Sequence, residues 1–207
     1  GDEHGVLSIP PEALPAIFDK AELIRADEQR VVGWSRSEDF SVDGLLALTA
    51  QVFCLRYVEV AEPHAWHPDV RLFEVLDGGS GAHLGWFYAD LHPRPGKFGH
   101  AMAWPVTLAR RGRTGEREGG VSAIVANLPR STATEPALLR HDDMELLFHE
   151  FGHVLHEVLG RNAYFGTSMD GLESDFPEAI SQIMENWAWA PTILVRVSRH
   201  HQDGTPM

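Results

Sequence analysis

The residues best suited to chemistry lie in one short stretch, Phe148-His149-Glu150-Phe151-Gly152-His153-Val154-Leu155-His156. His149 and His153 point the same way only if this stretch is helical, where residues four apart sit about one turn from each other on one face. Two imidazoles so placed hold one Zn²⁺, and the Glu150 carboxylate between them reaches a water on that metal. The chemistry would be metal-assisted hydrolysis with a carboxylate base. At about 100° per residue, Asp142, Glu145, His153 and His156 fall within roughly 40° of His149. Met144, Leu147, Phe151, Leu155 and Val158 occupy the other side. Glu145, one turn before His149, is placed to accept the free ring N–H and set its tautomer. His156 is a third imidazole on the same face; its spacing fits no ligand pattern, so it is read as facing substrate or supporting the ligands rather than as a third ligand. Gly152 keeps the flank beside the motif free of bulk.

A catalytic zinc takes three protein ligands and leaves one position open. Glu173 and Glu178 both lie downstream, and spacing alone does not choose between them. Glu173 falls in an expected loop. Glu178 falls in the first turn of a second helix, with Glu185 two turns on and on the same side.

These residues need elements to hold them. Residues 10–32 read as an interrupted helix, and Ser41-Val42-Asp43-Gly44 opens a short apolar helix to about Ala50. Gln51–Val60, Val70–Asp77 and Ala82–Asp90 are rich in Val, Leu, Phe, Tyr and Trp and read as strands. Asp77-Gly78-Gly79-Ser80-Gly81 predicts a hairpin between the last two. Leu84, Trp86 and Tyr88 share one face of the third segment, with Phe87 and Ala89 on the other, which predicts a strand covered on both sides. Phe98–Trp104 and Val121–Leu128 read as further strands, and Arg110–Gly120 as a loop with solvated charges. Helical period holds from Leu138 to Leu159, with Gly160 as its stop. Pro177 near a first helical position opens the second helix, which runs to about Ala190 with Phe176, Ile180, Ile183 and Trp187 as its core stripe. The expected architecture is α+β: a small antiparallel or mixed sheet, then two long helices that carry the metal site, with helix at both ends.

The chain has 207 residues and a formal charge of -13. Such a charge argues against nucleic acid and anionic membrane surfaces as partners. The single cysteine, Cys54, excludes an intrachain disulfide and a cysteine zinc cage. No apolar run approaches the length of a membrane span. A cytoplasmic location is the expectation.

Residues 141–190 resemble the catalytic core of the thimet oligopeptidase, oligopeptidase A and dipeptidyl carboxypeptidase family of zinc metallopeptidases. The matching text is residues 148–156 together with Glu-Ser-Asp-Phe-Pro-Glu-Ala-Ile-Ser-Gln-Ile-Met-Glu-Asn-Trp at 173–187. Trp66–Val70, Phe73–Val75, the run Gly85–Ala101 and Ala126-Asn127-Leu128 are also similar to the family, so the likeness runs from about Phe40 onward. Ile180 stands where the family usually has Pro, and Pro177 where it usually has an apolar residue. The resemblance implies a zincin-like fold, one Zn²⁺ per chain, Glu178 rather than Glu173 as third ligand, and short peptides as substrates. Members are far longer than this chain. Their long helical N-terminal portion, and the His and Tyr residues that the resemblance places beyond a segment like Arg199–Pro206, are expected to have no counterpart in these 207 residues. The chain is therefore expected to be one unit, 1–207, a truncated middle part of a metallopeptidase catalytic domain.

The expected function is a zinc oligopeptidase in which His149, His153 and Glu178 hold the metal and Glu150 is the general base. Glu145, His156 and Glu185 would support the ligands. The peptide would pair with a sheet edge, for which Val121–Leu128 is the candidate. The alternative is a zinc-binding fragment without useful hydrolysis, acting as a binding or assembly module. A homo-oligomer or a complementing chain is a further expected partner.

Overall fold

The computed structural model describes residues 38–130, 132, 137–160, 172–173 and 175–197, with side chains from Val42 onward. The expected N-terminal helix at 10–32 and the segment Arg199–Pro206 lie outside the described residues. Helix α1 spans Glu38–Phe53 and leads into strand β1, Leu55–Glu59. Strands β2 (Arg71–Asp77), β3 (His83–Asp90) and β4 (Met102–Thr107) follow, then the small strands β5 (Arg110–Arg111) and β6 (Arg117–Glu118), and β7 (Gly120–Val125). Helices α2 (His141–Leu159), α3 (Asp175–Ala188) and α4 (Pro191–Val197) complete the described chain.

The result is a mixed α+β unit. The main sheet has five strands in the order β1-β2-β3-β7-β4. Only β3 and β7 run parallel; the other neighbours are antiparallel. The hairpin expected at Asp77–Gly81 joins β2 to β3, with Asp77 Oδ1 accepting from Ser80 N and Oγ, both at 2.7 Å. Gly81 takes the left-handed φ of 72° that this turn needs.

Several boundaries and faces differ from expectation. The helix that opens near Ser41 runs on to Phe53, and the chain reverses at Cys54 with φ of 53°. Gln51–Phe53 therefore belongs to helix, with Val52 and Phe53 at helical spacing from Leu48 and Thr49 but 37% and 40% exposed. The fourth strand starts at Met102, not Phe98. Val121–Leu128 is not an edge. Strand β7 sits between β3 and β4, so the open edges are β1 and β4. Nor is β3 covered twice: Phe87 and Ala89 are buried under the helices, while Trp86 and Tyr88 on the far face are half-exposed. Arg110–Gly120 is not a plain loop. It contains the β5–β6 ribbon, from which Arg117 donates to Leu84 O, Val158 O and Gly160 O at 2.6, 2.6 and 2.9 Å. Two of those carbonyls end α2, whose last turn has no intrahelical donors left for them.

Helix α2 lies across one face of the sheet. Phe151 meets Phe87 edge-on with ring centroids 5.3 Å apart, and Phe87 stacks on Phe73 at 5.0 Å. Leu147, Val154 and Val158 fill the same seam. Helix α3 covers the opposite flank of α2. The residues that do so are Pro177, Ser181, Met184 and Ala188. Phe176 and Ile183, expected in the core, are 56% and 60% exposed. The small face goes inward because Gly152 lets the backbones approach; a Cβ at Gly152 would sit 2.8 Å from Ser181 Cα.

One buried ionic knot holds the ends of β3 and β7. Lys97 and Asp90 have side chains only 3% and 4% exposed, with Nζ 2.9 Å from Oδ1. Lys97 Nζ also donates to Asp90 O, His92 O and Ala126 O. Asp90 further accepts from Arg94 and from Trp66 Nε1. Burial alone would raise the Asp90 carboxyl; the hydrogen bonds from Arg94, Lys97 and Trp66 outweigh it and hold the group well below the usual carboxylate range. Asp90→Asn leaves a buried ammonium without its counter-charge and is expected to destabilise the fold by about 3–5 kcal/mol near neutral pH. Because the folded carboxyl lies below its unfolded value of about 3.9, its contribution is full well above that pH and fades as the pH falls past it. Urea unfolding of both proteins should show a gap that narrows on acidification; a gap independent of pH would contradict the assignment.

Candidate metal centre

Helix α2 begins with a local lock. Asp143 Oδ2 accepts from Arg140 N at 2.9 Å, and Asp142 and Asp143 place negative charge in the first turn. From Leu147 onward the helix is enclosed on nearly all sides, sheet on one and α3 on the other. The histidine face thus lies along an interhelical seam that stays open to solvent at Glu178, whose side chain is 49% exposed.

Three side chains converge in that seam. His149 Nε2 and His153 Nε2 are 3.3 Å apart. Glu178 Oε2 lies 3.3 Å from the first and 3.6 Å from the second. Among the described residues this is the group of three His, Cys or acidic side chains whose ligand atoms all lie within 4.8 Å of one another. Four ligands at zinc's usual bond lengths of about 2.0–2.2 Å make a tetrahedron with edges of roughly 3.3–3.6 Å. The observed triangle has that size, so the donor set fits a small divalent cation. Two imidazole nitrogens and a carboxylate oxygen are also the donors such a cation takes. Glu173 lies exposed in the connection before α3 and is not in the group.

Two of the three are held from behind, while His153 Nδ1 is buried with no hydrogen-bond partner among the described residues. His149 Nδ1 meets Glu185 Oε1 at 2.5 Å. With Nδ1–H donated there, the lone pair of Nε2 points into the triangle. Glu145, expected in that role, is elsewhere: its Oε1 accepts from Trp189 Nε1 at 2.6 Å. The Trp189 ring rests on His141, with centroids 3.9 Å apart. Glu178 is oriented by Ser181, which is fully buried and donates to Glu178 Oε2 at 3.1 Å and Glu178 O at 2.9 Å. Ser181 and Trp189 were not picked from the sequence. For Ser181 a signal exists, since residues three apart share a helical face; for Trp189 it does not. Burial pushes the His153 ring below its ordinary value, Glu178 opposing, which favours the neutral imidazole that ligation requires.

Glu150 projects to the sheet side and is 7% exposed. Its carboxyl is raised above the usual range, by burial first and by the nearby Glu178, with His149 and the Ala103 N–H on β4 opposing. The carboxylate thus sits between the histidines and the open sheet edge. His156 is half-buried and turns away from the triangle. It borders an apolar pocket with Phe53, Gly152, Leu155, Ile180 and Met184, and its ring meets Phe176 edge-on at 6.3 Å.

The sequence model of Peptidase family M3 matches residues 28–207. The chain is 35% identical over 164 residues to a thimet-like oligopeptidase of Dictyostelium discoideum, covering 78% of this chain and 24% of that protein. It is 36% identical to oligopeptidase A of Escherichia coli over 171 residues, 82% of this chain and 25% of that one. With dipeptidyl carboxypeptidase of the same organism the identity is 38% over 165 residues, 80% and 24% of the two chains. The chain therefore spans about a quarter of the length of these curated relatives.

Removing the Glu185 carboxylate leaves His149 free to turn and to change tautomer. Glu185→Ala is expected to weaken zinc affinity about 10–100-fold, read by competition with a chromophoric chelator. Glu145→Ala serves as the control and should leave that affinity nearly unchanged. The reverse order would restore Glu145 as the orienting group.

Proposed function

Given that the chain belongs to peptidase family M3, we propose that it forms the metal centre of a zinc-dependent oligopeptidase of zincin-like fold. The observation that carries this reading is the triangle of His149, His153 and Glu178, with its zinc-sized edges, beside the buried carboxylate of Glu150. These three residues would hold one Zn²⁺ per chain. Bound there, the ion lowers the pKa of a water and polarises a peptide carbonyl.

The chain's own groups supply the rest. Glu150 takes a proton from the attacking water and returns it to the leaving amine, so that the carboxyl alternates between charged and neutral forms. Its burial favours the neutral form and the Ala103 N–H favours the charged one, which suits a group that must hold a proton briefly. Glu185 and Ser181 keep His149 and Glu178 in place through the cycle. A short peptide would lie extended along β4, the open edge that reaches Glu150, by backbone pairing.

A second reading is a zinc-binding module that works only with another chain. The exposed Phe176 and Ile183 on the outer face of α3 favour it. The described residues contain no helix long and apolar enough to cross a membrane.

Two substitutions separate these readings. Glu150→Gln is expected to retain zinc and lose essentially all cleavage of a quenched fluorescent peptide, while Glu178→Ala loses zinc itself. Zinc content by atomic absorption and turnover are measured on the same samples. Stoichiometric zinc in the parent protein without cleavage selects the second reading. Full activity in Glu150→Gln removes Glu150 as the base.

A further inference from the structure

Strand β4 and helix α2 run side by side in the same direction. Ala103 N–H faces the Glu150 carboxylate at one end. Ala109 N–H donates to Glu157 Oε1 at 3.2 Å near the other. The edge strand therefore leads from Glu150 toward the C-terminal end of α2, and there it delivers the β5–β6 ribbon. Arg117 pins that ribbon to α2 through Val158 O and Gly160 O, so its position relative to the edge is set.

In a chain of charge -13 the ribbon is a local exception. Between Arg110 and Glu118 it carries Arg110, Arg111, Arg113 and Arg117 against Glu116 and Glu118. Arg110 Nε is paired with Glu118 Oε2 at 2.5 Å. Glu116 accepts from Thr114 in the turn. Arg117 is occupied by carbonyls. Arg111 and Arg113 are exposed and have no side-chain partner among the described residues. Arg111 stands opposite Arg117 in the ribbon's register, and opposed residues share a face. It is thus turned to the side of the ribbon that meets the protein.

From Ala103 to Thr107, where β4 ends, is about 13 Å at roughly 3.3 Å per residue. A peptide paired with β4 reaches the ribbon about four to five residues from the bond at Glu150. Antiparallel pairing, the more stable mode, puts the peptide's amino side at that end. We infer that Arg111 and Arg113 form a distal anion subsite that selects peptides with acidic side chains about four to five residues before the cleaved bond. This rests on the peptidase reading for its register, but the contact is a binding event and is measured without turnover. Solvent-exposed pairs contribute modestly, so the expected preference is about 3–10-fold in affinity.

The test uses the full chain carrying Glu150→Gln, loaded with zinc, and three fluorescent peptides of one length. One has two Glu on the amino side at the stated distance, one has them on the carboxyl side, and one has Gln throughout. Anisotropy titration is expected to show the amino-side peptide binding about 3–10-fold tighter than the Gln peptide. The preference should vanish in Arg111→Ser/Arg113→Ser and fall at about 0.5 M salt, where exposed charges are screened. Equal affinities, a stronger carboxyl-side peptide, a preference that survives the double substitution, or no binding of any peptide would each overturn the inference. Cleavage of the Gln peptide by the parent protein, run in parallel, reports on the peptidase reading alone. Acid-dependent binding without cleavage would keep the subsite and reject the peptidase.

Discussion

The centre depends on one close approach. Gly152 has no side chain, and Ser181 Cα occupies the space where its Cβ would be. Nothing larger at Gly152 would let α3 lie so near α2. Because it does, Glu178 Oε2 comes within 3.3 Å of His149 Nε2, and Glu185 reaches the other nitrogen of the same ring. The contact also explains why Ser181 is fully buried and free to orient Glu178 from within the seam. A glycine inside a helix is usually unfavourable by roughly 0.5–1 kcal/mol relative to alanine. Here that cost is offset by the packing it permits.

The sheet acts as the anvil beneath the helix. Phe87, Phe73 and Phe151 give α2 a rigid floor, and the Asp90–Lys97 knot fixes the ends of the two central strands. The order of strands then decides which edge faces Glu150. With β7 enclosed between β3 and β4, the open backbone groups beside the centre belong to β4. The same strand carries the chain into the arginine-bearing ribbon. The candidate metal centre, the open edge and the charged ribbon are thus joined by a few short stretches of chain.

Much of this was visible in residue order. The spacing of His149 and His153, the turn at Asp77–Gly81 and the helical period of α2 each follow from local rules that involve neighbours in sequence. Faces were harder to read. Phe176, Ile180, Ile183 and Trp187 make a regular apolar stripe, yet α3 turns Pro177, Ser181, Met184 and Ala188 inward. Periodicity shows that a helix has two faces; it does not say which one a neighbour's shape will accept. Arg117 looked like one more solvated charge because its acceptors, three backbone carbonyls, lie far away in sequence.

Sequence by itself left Glu173 and Glu178 open as third donor on spacing, but showed the other candidates: two histidines one helical turn apart and a carboxylate between them. These are properties of single elements, and a single element's geometry is set by its own backbone. Tertiary structure alone decided how the donors are supported and where a substrate would lie. Glu185 rather than Glu145 meets His149, and β4 rather than β7 forms the edge, because both outcomes depend on how separate elements pack. Such choices turn on sub-ångström fit at places like Gly152 and Ser181, and no local pattern along the chain encodes that fit.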